Sequence, residues 1–178
     1  AQKLLSTINN LLNAAQVEEG RFGYEFAPVN IVEFLDTLLA DALLVARQHE
    51  VAVYFERPPV PSIIISADAG KLGLAIGNVL DNAIKYNVRG GQVVVAIVAQ
   101  EGKAEVSIKD TGTGISETDL PKIFDKFFRA ENAQRSAVDG SGLGLYLAKN
   151  IIEAHKGTIR VESVLGRGST FYITLSTI

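Results

Sequence analysis

The residues best suited to chemistry lie on one stretch, Leu72 to Tyr86, with the sequence LGLAIGNVLDNAIKY. On a helix of 3.6 residues per turn, Leu72, Ala75, Ile76, Val79, Leu80 and Ala83 share one side. Asn78, Asn82 and Lys85 follow i, i+4, i+7 spacing and share the opposite side, with Asp81 at its margin. A solvated helix face more often carries Glu and Lys, and aligned asparagines serve neither helix propensity nor charge pairing. Their carboxamides do offer neutral oxygens to a metal and N–H donors to phosphate. Taken alone, the face reads equally well as a polar outer surface.

Two glycine-rich stretches lie downstream. Asp110-Thr111-Gly112-Thr113-Gly114-Ile115 follows a predicted strand, Ala104 to Lys109, in which Val106 and Ile108 alternate with Glu105, Ser107 and Lys109. Asp110 keeps the parity of Val106 and Ile108, so its carboxylate is expected on the covered face, where it needs a bonding partner. Glycines one residue apart let backbone approach a flat ligand, and an inward carboxylate can accept from an exocyclic amine such as adenine N6. A hairpin turn accounts for this stretch about as well. Gly140-Ser141-Gly142-Leu143-Gly144-Leu145 opens a predicted helix, Leu143 to His155, and so presents backbone N–H groups to an anion. No parallel βαβ unit surrounds it and no Gly-Lys-Ser/Thr ends it, which excludes the dinucleotide and Walker A loops.

Several elements must position these residues. Gln2 to Glu18 is predicted helical, with Leu5, Ile8, Leu12 and Ala15 in heptad spacing and Leu4 and Leu11 widening the stripe. It reads as the end of a longer helix that pairs with another; an ordinary helix packed on its own domain is the competing reading. A boundary is expected near residues 20–28, at Gly20 and Gly23. Asn30 and Glu33 form a capping-box pattern opening a helix from Ile31 to about Gln48, with Phe34, Leu35, Leu38, Ala42 and Val45 inward. Strands are predicted at Val51 to Glu56, Ile63 to Ile65 and Val93 to Ala99, and Asp68 is placed as a helix cap. Ser116 caps a short turn before Pro121, and Lys122 to Arg129 reads as a further helical turn. Ala130 to Ser141 has no periodicity and is expected to be mobile. Thr158 to Ser163 and Thr170 to Leu175 form a closing hairpin around Gly166 and Gly168. This order implies an α+β fold: a two-layer α/β sandwich with a mixed, mostly antiparallel sheet covered on one face by helices, plus an N-terminal helix.

Composition narrows the functions. A chain of 178 residues, 47% hydrophobic, can bury one sizeable core. Its net charge of −3 supplies no basic field, so nucleic acid is not an expected partner. The absence of cysteine excludes thiol catalysis and disulfides, and two isolated histidines give little scope for zinc. No apolar run reaches the roughly 18 residues of a membrane span. With Ala1 first and no methionine anywhere, the chain reads as a fragment of a longer protein.

The order of motifs is more specific than any one of them. Asn78-x-x-x-Asn82-x-x-Lys85-Tyr86, then DTGTGI, then Phe124-Asp125-Lys126-Phe127-Phe128-Arg129, then GSGLGL, then Gly166-Arg167-Gly168-Ser169-Thr170-Phe171 closely resembles the catalytic ATP-binding domain of sensor histidine kinases, within the GHKL ATPase superfamily. The resemblance spans residues 28–178; residues 1–20 resemble the end of the dimerisation and phosphoacceptor hairpin. It implies that Asn82 holds Mg²⁺, with Asn78 near the phosphates or a metal-bound water. Lys85 would neutralise phosphate charge and Tyr86 would pack near the nucleotide. Asp110 would accept from adenine N6, with Gly112, Gly114 and Ile115 lining the base pocket and Thr170 closing it. Residues 130–141 would be a lid over ATP or ADP, with Gly140, Gly142, Leu143 and Gly144 on the phosphates. Arg129 would stand near the γ-phosphate, making Asn78, Lys85 and Arg129 the catalytic set; surface pairing is the plainer reading for Arg129. Phe124, Phe127 and Phe128 read as packing residues, and Asp81 as an i, i+4 partner of Lys85.

The family phosphorylates a histidine in a motif resembling His-Glu-Leu-Arg-Thr-Pro, which this sequence lacks. His49 runs into a predicted strand and His155 ends a helix, so the acceptor is expected upstream of Ala1. The resemblance thus implies a histidine kinase domain whose partners are an upstream phosphoacceptor segment and a response regulator. It also implies a homodimer in the full-length protein, cytoplasmic and anchored in the bacterial inner membrane. A degenerate docking module is the alternative. A conformational ATPase ranks lower, since those relatives place a glutamate base where Asn78 stands.

Overall fold

The computed structural model describes residues 2–130 and 140–178, with side chains from residue 7 onward. In chain order the elements are α1 (Gln2–Glu18), β1 (Ala27–Asn30), α2 (Ile31–Gln48), β2 (Ala52–Glu56), β3 (Ile64–Ala67) and α3 (Ala69–Lys85). There follow β4 (Gln92–Gln100), β5 (Lys103–Asp110), a 3-10 turn (Leu120–Lys122), α4 (Gly144–Ala154), β6 (Thr158–Val164) and β7 (Gly168–Ser176). Five strands form one sheet in the order β2-β4-β5-β7-β6. Only β2 with β4 is parallel; the other pairs are antiparallel, as the sequence led us to expect.

Strand alternation decides which face is covered. In β5 Ala104, Val106, Ile108 and Asp110 are buried, and in β7 Phe171, Ile173 and Leu175 join them. Against this face lie the buried sides of α3 (Leu72, Ala75, Ile76, Val79, Leu80, Ala83, Ile84) and α4 (Ala148, Ile151, Ile152). Each large aliphatic side chain so buried contributes about 1.5–3 kcal/mol, so the sandwich rests on these two helices. The odd face of α3 is therefore free for another role.

Caps define that helix. Asp68 Oδ1 accepts the N–H of Lys71 at 2.9 Å and so satisfies one donor of the first turn. At the other end Asn87 Nδ2 donates to Ala83 C=O at 3.0 Å and to Gln92 C=O at 3.1 Å, tying the helix end to β4. The helix spans the predicted stretch with its predicted apolar side inward.

Three local expectations differ. The innermost residues of α2 are Ile31, Val32, Leu35, Leu39 and Ala46, whereas Phe34, Leu38, Ala42 and Val45 are only partly buried. The buried stripe is rotated because α2 leaves directly from β1, whose pairing with β3 fixes its angle. β1 itself has no counterpart in the sequence reading: four residues containing Pro28 become a strand only because β3 runs antiparallel beside them. Finally, residues 122–129 do not form a helical turn beyond the 3-10 turn. Phe127 instead has φ +64° and donates its N–H to Gly142 C=O at 3.0 Å, an external partner that competes with helix.

Candidate functional site

The sequence-selected boxes meet at the C-terminal half of α3. Asn78 faces the start of α4: a Cβ built on Gly144 would lie 3.3 Å from Asn78 Oδ1 and 3.4 Å from its Cγ. Asn78 Nδ2 is buried without a hydrogen-bond partner among the described residues, a donor left free in a well-packed wall. Helix α4 opens at Leu143 with no side-chain cap among the described residues, which leaves first-turn N–H groups there to find a partner. Two sets of donors thus meet at one place.

Two turns on, at the end of the helix, Tyr86 joins two loops. Its carbonyl accepts the N–H of Thr113 at 3.0 Å. Its hydroxyl lies 3.3 Å from where a Cβ on Gly140 would sit, with Arg129 Nε 3.9 Å from the same point. Gly112 passes so close to this corner that a Cβ would meet Asp110 Oδ1 at 2.9 Å and Asn87 Cα at 3.0 Å. Only glycine fits there. Gly142, with φ +69°, runs against the Phe127 backbone in the same manner.

Asp110 is 8% exposed, on the covered face as its parity predicted. Oδ1 accepts from Gly112 N–H at 2.8 Å and from Ser169 N–H at 3.2 Å. Burial pushes this carboxyl above its ordinary value, while the two N–H donors pull against that rise. Both bonds fall on Oδ1, which leaves Oδ2 to accept from a ligand donor.

Other predicted residues are placed less simply. Lys85 Nζ is paired with Asp81 Oδ2 at 3.0 Å, the i, i+4 bridge expected for Asp81. Asn82 lies one turn beyond Asn78 on the partly exposed face. Ile115 packs on the core and gives its N–H to Ser163 Oγ at 2.8 Å. Gly114, at φ +65°, approaches the Val164–Leu165 backbone. Leu143 is fully buried against Ala14 and Leu147, and its N–H goes to Ser141 Oγ at 3.3 Å, so it does not join the others. Thr170 does not either. It pairs with Lys109 on the open face of the sheet, and a groove there is lined by Glu56, Lys109, Thr170 and Tyr172 among others. Ser169, one residue earlier, occupies the inward position beside Asp110. Of the residues expected to form a lid, 130–141, those numbered 131–139 lie outside the described residues.

Sequence reasoning missed Asn87, Thr111, Ser163 and Ser169. Thr111 Oγ1 bonds Asn87 Oδ1 at 3.1 Å and receives Gln92 N–H at 2.9 Å, which fastens the Asp110 loop to the end of α3. For Ser169 the signal was present: Phe171, Ile173 and Leu175 point inward, and two-residue alternation carries that parity back to 169. Neither histidine is placed as an acceptor. His155 is buried, with Nε2 accepting Asp68 N–H at 3.0 Å and Nδ1 donating to Ile151 C=O at 2.7 Å. His49 is exposed at the C-cap of α2, where its backbone N–H closes the helix.

Residues 67–177 match the family described as "Histidine kinase-, DNA gyrase B-, and HSP90-like ATPase". This chain belongs to that ATPase family. Among its relatives is the sensor histidine kinase WalK of Bacillus subtilis (strain 168), 29% identical over 98% of this chain and 28% of WalK. The solved mycobacterial sensor histidine kinase MprB is 30% identical, with a TM-score of 0.73 over 86% of this chain and 98% of that one. Full-length ShkA in complex with AMPPNP is 27% identical, with a TM-score of 0.84 over 99% of this chain and 36% of ShkA. The chain therefore spans under a third of WalK and matches the MprB structure nearly end to end. An ATPase of this family holds the two-layer sheet-and-helix fold described above. No helix among its described residues is long and apolar enough to cross a membrane.

Proposed function

We propose that residues 28–178 form the ATP-binding catalytic domain of a two-component sensor histidine kinase, with residues 1–20 the end of its dimerisation and phosphoacceptor hairpin. The observation that carries this reading is the meeting of Asn78, whose buried Nδ2 has no partner among the described residues, and the start of α4 at Gly144, two helix turns from Tyr86 and the Asp110 loop. Donors for an anion and an acceptor for an amine face one region, which suits a nucleotide triphosphate.

In this reading Asp110 Oδ2 accepts from adenine N6, while Gly112 and Gly114 allow the base to lie against backbone. The N–H groups at Gly140, Gly142 and Gly144 and the Asn78 amide hold phosphate oxygens, with Arg129 at the γ end. Lys85 balances phosphate charge by exchanging Asp81 for the ligand. Asn82 Oδ1, with Asn78 nearby, is the protein ligand for Mg²⁺. A single neutral oxygen suits this cation, which keeps several waters and phosphate oxygens. When bound, Mg²⁺ supplies charge neutralisation at the phosphates. Phosphoryl transfer rests on positioning, and the acceptor histidine comes from an upstream segment, since neither histidine lies in a phosphoacceptor motif and both His155 ring nitrogens are bonded. A response regulator then takes the phosphoryl group. The full-length protein is a homodimer, anchored in the bacterial inner membrane with this part in the cytoplasm.

Calorimetric titration with a non-hydrolysable ATP analogue is expected to show Mg²⁺-dependent binding that Asn82→Ala weakens at least about tenfold. Equal binding by parent and variant, or none by either, would sink the reading. Joined to its upstream hairpin, the chain is expected to place acid-labile phosphate on a histidine.

A further inference from the structure

Strand β6 lies outside every box of the sequence, yet its Ser163 makes three side-chain bonds near Asp110. Its Oγ receives Ile115 N–H at 2.8 Å, reaches Gly168 C=O at 2.9 Å and lies 2.9 Å from Ser169 Oγ. A hydroxyl has one hydrogen and two lone pairs, so these three bonds fix every role. Ser163 donates to Gly168 C=O, accepts from Ile115 and accepts the Ser169 hydroxyl hydrogen. Each of the three groups it holds belongs to a strand or loop that touches Asp110.

The surroundings make this joint tight. Gly166 N–H donates to Thr113 C=O at 2.7 Å, and Ser169 N–H donates to Asp110 Oδ1 at 3.2 Å. A Cβ on Gly168, at φ +98°, would meet Asp110 C at 2.9 Å and Thr111 Cα at 3.0 Å. The β6–β7 hairpin therefore presses directly on the Asp110 backbone, and Ser163 is the side chain that locks it to Ile115. Freed of Ser163, Ser169 can turn and Gly168 can shift, and Asp110 Oδ1 loses a fixed donor.

We propose that Ser163 is a positioning residue for base recognition, holding Ser169 and Gly168 so that Asp110 turns Oδ2 toward the exocyclic amine of adenine. This rests on the ATP-binding reading above and goes beyond it by naming what sets base selectivity. Guanine carries a carbonyl oxygen where adenine carries that amine, so a fixed carboxylate accepts one base and repels the other. A carboxylate free to rotate discriminates less, because the site's precision depends on the groups behind it.

The test compares affinities of the chain for ATP and GTP analogues by calorimetry, alongside thermal melts, for Ser163→Ala, Ser163→Thr and Ser163→Val. Thr and Val match in shape, and only Thr keeps the hydroxyl, so this pair decides the matter even if Ser163→Ala does not fold. The expected result is a preference for ATP over GTP that falls about tenfold or more in the Ala and Val variants and is largely kept by Thr, the worth of about one hydrogen bond to a charged system. A merely structural serine would lower melting temperature and weaken both nucleotides alike. Thr and Val variants with the same ATP-to-GTP ratio overturn the proposal, whatever their melts. If the parent binds ATP while that ratio is unmoved, Ser163 alone is at fault; if the parent binds no ATP, the reading beneath it falls too.

Discussion

Two buried or capped aspartates, Asp110 and Asp68, respond to pH in opposite senses because their surroundings differ. Burial raises Asp110 above its ordinary 3.8, so the fold favours its neutral form. That preference helps stability below 3.8 and is lost as pH rises through the folded value. Asp110→Asn should keep both Oδ1 bonds, melt no lower than the parent at neutral pH, and bind ATP about 10–100-fold more weakly, the range of about 1.5–3 kcal/mol for a bond to a charged acceptor. A variant that melts far lower or binds ATP as well would contradict this account. At Asp68 burial also pushes upward, but the N–H groups of Glu25, Lys71 and Gly70 and the Lys71 charge outweigh it, and the carboxyl sits below 3.8. Its contribution is present above 3.8 and lost as pH falls through the folded value. Melts of Asp68→Asn and parent should therefore converge in acid.

Helix α3 depends on that same aspartate as an element. Asp68 Oδ1 caps Lys71, its Oδ2 holds Glu25 N–H at 3.0 Å, and its own N–H is held by His155 at the end of α4. The cap thus fastens the nucleotide-facing helix, the chain entering β1 and the end of α4 at one point. Asp68→Ala is expected to cost about 1 kcal/mol, a drop of about 2–4 °C in melting temperature. Since Asn78 and Asn82 sit two or more turns away, ATP affinity measured well below that temperature should hardly change. A large loss of affinity would show instead that the cap sets the asparagine face. The apolar side of α3 was legible in advance because its burial follows helix period directly. For residues 122–129 the same period misled, since the N–H of Phe127 found its acceptor in Gly142, far along the chain.

The whole molecule divides α1 into two sides with different tasks. Ala14, 1% exposed, packs on Leu143 and Leu147, and Glu18 bridges to Lys126 Nζ at 2.8 Å and Tyr146 hydroxyl at 3.4 Å. The Lys126 bond, with its charge, holds the Glu18 carboxyl below its ordinary value against the effect of burial. The side bearing Ile8, Leu11 and Leu12 is open, with Leu11 51% and Leu12 55% exposed. One side of α1 thus packs on its own domain, and the open side is available for the proposed pairing with another helix. Leu11→Glu should leave the melting of this chain within about 0.5 kcal/mol, whereas Ala14→Glu should speed amide hydrogen exchange along α1. Equal exchange in the two variants would mean that Ala14 does not anchor the helix.

By itself the sequence determined the two-layer class, the apolar side of α3, the inward turn of Asp110 and the order of the glycine boxes. Each of these follows from a local period or from a residue type whose options are few. Only the tertiary structure decided that Asn78 lies against Gly144, that Tyr86 meets Gly112 and Gly140, and that β1 is a strand at all. It also placed Ser169 inward beside Asp110, with Thr170 on the open face, and brought Ser163 against Ser169. These depend on which strand lies beside which and how closely two backbones pass. Such contacts join residues dozens of positions apart, as from Asp110 to Ser169, and no repeat along the chain encodes that distance.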